Sequence, residues 1–120
     1  MADLKLGPIE TRFAHIVWDH APMTTAQLVK LCGEQLQWKR TTTYTVLKKF
    51  TEKGLFRMEN GVVTVLMTRE SYESAQSAEF VEETFRGSLP AFVAAFTRSK
   101  SISPEQLQEL RQLLDEYEEK

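Results

Sequence analysis

A mainly α fold, with a winged helix-turn-helix DNA-binding domain over residues 1–68 and a three-helix dimerisation region over residues 69–120, is predicted by three features of this sequence. In the stretch WKRTTTYTVLKKFTEKGLFRMENG, Thr43, Val46, Leu47 and Phe50 recur at the spacing of one helix face. Two short apolar runs follow around Asn60-Gly61, the strongest short-range signal for a tight hairpin. Past Thr68-Arg69 the chain turns acidic and helical, and its last helix repeats Leu107, Leu110, Leu114 and Tyr117 at the spacing of a seam for a partner helix.

Taken in order, Pro8 after Gly7 suits a first helical turn, and Glu10 stands near the positive end of the helix. Ile9, Phe13, Ile16 and Val17 keep a core-facing spacing to about His20, with Trp18 on the edge of that stripe. Ala21-Pro22 breaks the chain. Thr24 with Gln27 then reads as a capping box opening a second helix, whose Leu28, Leu31 and Cys32 face inward. Gly33 weakens that helix by about 1 kcal/mol relative to Ala, so its end is expected to fray.

The third helix carries its apolar face inward and presents Thr41, Tyr44, Thr45 and Lys48 outward, with Thr42 and Lys49 on the flanks and Arg40 ahead. Gly54 after Lys53 stops it. In the hairpin, a two-residue loop pairs Phe56 with Val65 and Met58 with Val63, all four on the face expected to cover the core. The opposite face carries Arg57 across from Thr64, so Arg57 is the one phosphate contact expected of a poorly anchoring wing. Two helices joined by a short turn, the second polar-faced, followed at once by a two-stranded hairpin, make up the winged arrangement.

In the tail, Tyr72, Ala75, Phe80, Val81 and Phe85 run along a segment that stops at Arg86-Gly87. Leu89, Phe92, Val93 and Phe96 form a very apolar short helix, and Ser103-Pro104-Glu105-Gln106 combines an N-cap, Pro at N1 and a capping-box Gln. Three helices in about fifty residues cannot bury so many Phe and Leu side chains alone, whereas pairing with a second chain would. Those four residues of the short helix, with Leu107, Leu110, Leu114 and Tyr117 of the last, are the expected dimer interface.

The net charge of -2 conceals a division. Residues 1–69 hold ten Lys/Arg against six Asp/Glu, and residues 70–120 hold five against eleven, so the halves carry +4 and -6. Lys39 to Arg57 contains six cations and a single acid, Glu52, which concentrates positive charge at the proposed reading helix. Cys32 is the only cysteine, which excludes an internal disulfide and a Cys-rich metal framework and fits a reducing, cytoplasmic setting. His15 and His20 lack companions at metal-ligand spacing, so neither metal nor cofactor is expected. The start, MADLKLGPIETRF, shows no leader pattern, and no stretch reaches the length of a membrane span. With no Gly-rich phosphate loop and no paired nucleophile and base, an enzyme is not expected.

These residues in this order resemble the penicillinase repressor family of bacterial transcriptional regulators. The resemblance rests on PIETRFAHIVW, TTAQLVKL, WKRTTTYTVLKKFTEKGLF, TRESY after the wing, and LPAFVAAF with SPEQLQELRQLL in the tail. It implies a homodimeric repressor whose third helix reads double-stranded operator DNA of palindromic sequence. Thr41, Thr42, Tyr44 and Thr45 then lie at reading positions, with Arg40, Lys48 and Lys49 near phosphates. It also implies a regulatory protease as a further partner, cutting at Ala95-Phe96, where this chain has Ala in place of the family's usual Asn. A cysteine-cluster switch of a copper-responsive branch is excluded by the single Cys32. The wing, MENGVVTVLM, departs from the basic and tyrosine-bearing wings usual in the family. A function from another class, a winged-helix module docking a protein through helix three, is told apart by salt: phosphate neutralisation makes DNA binding steeply salt-dependent.

Overall fold

The computed structural model describes residues 5–119; the first four residues of the start read as leaderless, and Lys120 at the end of the tail, lie outside it. Helix α1 spans Pro8–His20, with Pro8 at its first position and the Glu10 carboxylate accepting the Gly7 N–H at 3.2 Å. Phe13, Ala14, Ile16 and Val17 are buried. Ile9, expected on the same face, is instead 48% exposed, while Leu6 ahead of the helix packs against the core.

Strand β1, Met23–Thr24, was not foreseen, and it makes the wing three-stranded rather than two-stranded. Thr24 serves two structures at once. It pairs with Val62 in the sheet and caps α2, Thr25–Leu36, by accepting the Gln27 N–H at 3.1 Å while Gln27 accepts the Thr24 N–H at 2.8 Å. Helix α2 passes unbroken through Gly33, since buried Cys32 and Leu36 hold the last turn against the core.

Helix α3 runs Arg40–Glu52 and leads through Gly54, at φ +83°, into β2, Phe56–Glu59, and β3, Val62–Val65. The sheet order is β1-β3-β2, antiparallel, with Phe56 opposite Val65 and Met58 opposite Val63 as the two-residue loop requires. Phe56 and Val63 are fully buried and Val65 half-buried, but Met58 is 45% exposed. Val63 stands on the central strand with neighbours on both sides, whereas Met58 stands on the edge strand near the loop.

Phe13 centres the core: its ring lies 5.0 Å from Phe50 and 5.6 Å from Trp38, and Phe50 stacks on Phe56 at 5.4 Å. Such ring pairs add about 0.5–1.5 kcal/mol each beyond the area they bury. Cys32 is buried beside them, and burial pushes its thiol up to about 11 against the opposing pull of a hydrogen bond with the Thr43 side chain.

Helix α4, Arg69–Phe85, begins on this core. Tyr72 is buried with its ring 5.5 Å from Trp18, whose indole N–H donates to the Met67 carbonyl at 2.9 Å. Arg69 pairs with Asp19 and lies over the Trp18 ring. Packing accordingly divides the chain between Ser77 and Ala78, inside α4, rather than at the change in composition near residue 68.

The second unit, residues 78–120, holds the end of α4, then α5, Leu89–Ser99, and α6, Pro104–Glu118. Arg86 and Gly87, both at positive φ, reverse the chain, and a Cβ on Gly87 would meet the Glu82 carboxylate at 2.8 Å. Ser88 and Ser103 cap the two following helices by accepting the N–H groups of Ala91 and Gln106. Phe80, Phe85 and Phe92 meet edge to face at 5.6–6.0 Å, yet no residue of α5 or α6 is buried.

Candidate nucleic-acid interface

Helix α3 is held by one face and open on the other. Thr43, Leu47 and Phe50 are buried and Val46 half-buried, which fixes the rotation of the helix about its axis. Each predicted reading or phosphate position on it is exposed: Arg40, Thr41, Thr42, Tyr44, Thr45, Lys48 and Lys49. A surface of hydroxyls, one phenol and three cations therefore follows from burying three side chains on the opposite side.

The open face is partly ordered from within. Thr45 donates its hydroxyl to the Thr41 carbonyl at 2.9 Å, which leaves its oxygen free to accept. Arg40 lies 5.8 Å from the centre of the Tyr44 ring, a cation over an aromatic face that steadies both side chains. Lys39, the N-cap, makes no side-chain cap bond, so the N–H groups of the first turn stay available at the positive end of the helix dipole. Such an end receives anions, phosphate included.

The wing adds less. Arg57 projects from β2 as predicted, but its guanidinium stands 2.9 Å from the Glu59 carboxylate. The pairing follows from alternation along the strand, which puts residues 57 and 59 on one face. Met23–Thr24 was missed: a two-residue strand is too short to show period-two alternation and carries its own capping signal.

The predicted interface residues of the tail lie on α5 and α6. Leu89, Phe96, Leu107, Leu114 and Tyr117 are exposed, and Phe92, Val93 and Leu110 are half-buried. Ala95, half-buried, and Phe96 sit within the continuous α5. Among the described residues no group of three His, Cys, Asp or Glu side chains could hold a metal ion, and no helix is long and apolar enough to cross a membrane.

The sequence pattern of the family described as Penicillinase repressor matches residues 6–116. The Penicillinase repressor of Bacillus licheniformis is 25% identical to this chain over 117 residues, 94% of this chain and 91% of that protein. Among solved structures, Staphylococcus aureus MarR in complex with salicylate and kanamycin is similar over 95% of this chain and 72% of its own, with a TM-score of 0.44 and 18% identity.

Proposed function

We propose, for a chain that belongs to the penicillinase repressor family and is thereby a winged-helix DNA-binding transcriptional repressor, that it acts as a homodimer on a palindromic operator read by α3. The observation that carries this reading is the division of α3 into a locked apolar face and an open face of hydroxyls and cations. Thr41, Thr42, Tyr44 and Thr45 meet base edges, while Arg40, Lys48 and Lys49 neutralise phosphates. The exposed apolar residues of α5 and α6 support pairing of two chains, which would present two reading helices to half-sites about one helical turn, roughly 34 Å, apart or a multiple of it.

Release follows from the same arrangement. Because each domain alone holds its half-site weakly, separating the tails lowers occupancy of the whole operator. A regulatory protease cutting at Ala95-Phe96 would do so, and since that bond lies inside α5, the helix must open locally before it is cut.

The test is duplex binding by the full chain across a salt series. Lys48→Ala is expected to weaken binding to all sequences alike and to lower the salt slope by about one unit, while Tyr44→Ala or Thr45→Ala relaxes base preference. Affinities for a selected operator that ignore all three substitutions would remove α3 from the groove.

A further inference from the structure

We infer that Glu59 limits the affinity of the DNA interface: it holds Arg57 in an ion pair on the wing and leaves the hairpin without net charge toward a duplex. The inference rests on the proposed DNA-binding function and adds to it the residue that sets how much the wing contributes.

Arg57 and Glu59 stand two residues apart on β2, so both emerge on its outer face, and Arg57 Nη2 lies 2.9 Å from Glu59 Oε2. Across the ladder from them are Thr64 and Val62, both uncharged. Residues 56–65 therefore carry one cation and one anion, each committed to the other. On α3 the situation is opposite: among the described residues, no carboxylate forms an ion pair with Arg40, Lys48 or Lys49.

The hairpin is fixed beside α3, since Phe50 of the helix stacks on Phe56 of the strand at 5.4 Å and two residues after Lys53 complete the connection. A duplex lying along α3 carries about one negative charge per 1.7 Å of its axis. A carboxylate held on the adjacent strand lies within reach of that field, which extends about 8–10 Å at moderate salt. Glu59 then acts twice: it repels phosphates and it occupies the one cation that the hairpin could offer them. Side-chain exposures of 59% and 62% mean the pair contributes little to folding, so its effect falls on binding.

The experiment measures binding of the full chain to a long mixed-sequence duplex by fluorescence anisotropy over a salt series, with circular dichroism to verify that each variant is folded. Glu59→Gln is expected to bind several-fold tighter at low salt, with the slope of log affinity against log salt steeper by about one unit. Arg57→Gln alone should weaken binding, because it leaves the carboxylate unpartnered. The double variant Arg57→Gln with Glu59→Gln restores the neutral hairpin and should return both affinity and slope to those of the natural chain, a coupling that independent sites would not show. If the natural chain binds and Glu59→Gln changes neither affinity nor slope, the inference is overturned and the DNA-binding function stands. If the natural chain binds no duplex at any salt, both are overturned.

Discussion

The molecule contains two clusters of phenylalanine, one in each unit, and they are treated differently. Phe13, Phe50 and Phe56 are sealed at 0% exposure between α1, α2, α3 and the three-stranded sheet. Phe80 and Phe96 are about half exposed although they touch Phe92 at similar ring distances. Helices on one side and a sheet on the other enclose the first cluster, whereas α5 and α6 bury none of their residues. Ring contact alone does not make a core; closure by a second layer does. The first unit thus has a closed core, and the second leaves large apolar side chains exposed on α5 and α6.

The sharpest way to break this comparison is to truncate a ring in each cluster. Phe56→Ala should cost about 3–5 kcal/mol of unfolding free energy, because the emptied volume lies in a close-packed interior. Phe96→Ala should shift the chemical-denaturation midpoint far less at concentrations where the chain is monomeric. Equal losses would mean that the second unit is as closed as the first.

Charge placed on the open surface asks the complementary question. Leu110→Asp with Leu114→Asp would put two carboxylates into an apolar seam if two chains pair there, a cost of several kcal/mol from desolvation. Light scattering should then report a monomer with the helical content of the natural chain retained. An unchanged dimer would show that the seam lies elsewhere.

Helix caps sharpen the same contrast at smaller scale. Thr24→Ala removes the cap of a helix built into the closed unit and should lower global stability by about 1 kcal/mol. Ser103→Ala uncaps α6, none of whose residues is fully buried, so its effect should appear as faster amide exchange in the first turn rather than as a shifted midpoint.

A further contrast concerns pH. The Cys32 thiol is raised by burial from its ordinary range to about 11, so folding favours the protonated form. Its stabilisation is present in full below the unfolded thiol's pKa, near 8.5, and is lost as pH rises toward 11. Midpoints measured from pH 8 to 11 should therefore fall, and Cys32→Val should remove that part of the fall. A slope unaltered by the substitution would assign the alkaline loss to other groups.

Much of this was legible in the sequence because it depends on near neighbours. Helix starts at Pro8, Thr24 and Ser103, the stop at Gly54, the Asn60-Gly61 turn and the register it imposes are all decided within four or five residues, where backbone sterics and capping bonds act. The exposed face of α3 was legible for a related reason, since helical period turns three buried positions into a prediction for every other. Even the family likeness is carried by local runs such as WKRTTTYTVLKKFTEKGLF.

What only the tertiary structure decided involves partners far apart in the chain. Met23–Thr24 becomes a strand because β3, some forty residues later, offers it an edge, and no local pattern encodes that offer. Tyr72 joins the first unit because the Trp18 ring, itself held by its N–H bond to the Met67 carbonyl, lies 5.5 Å from it, and the division of the chain falls in the middle of a helix where composition shows no break. Ile9 and Met58 satisfy the periodicity of buried faces and are nonetheless exposed, since a face is buried only as far as another layer extends over it. Periodicity determines which way a side chain points; whether anything stands there to meet it is determined by packing between distant segments.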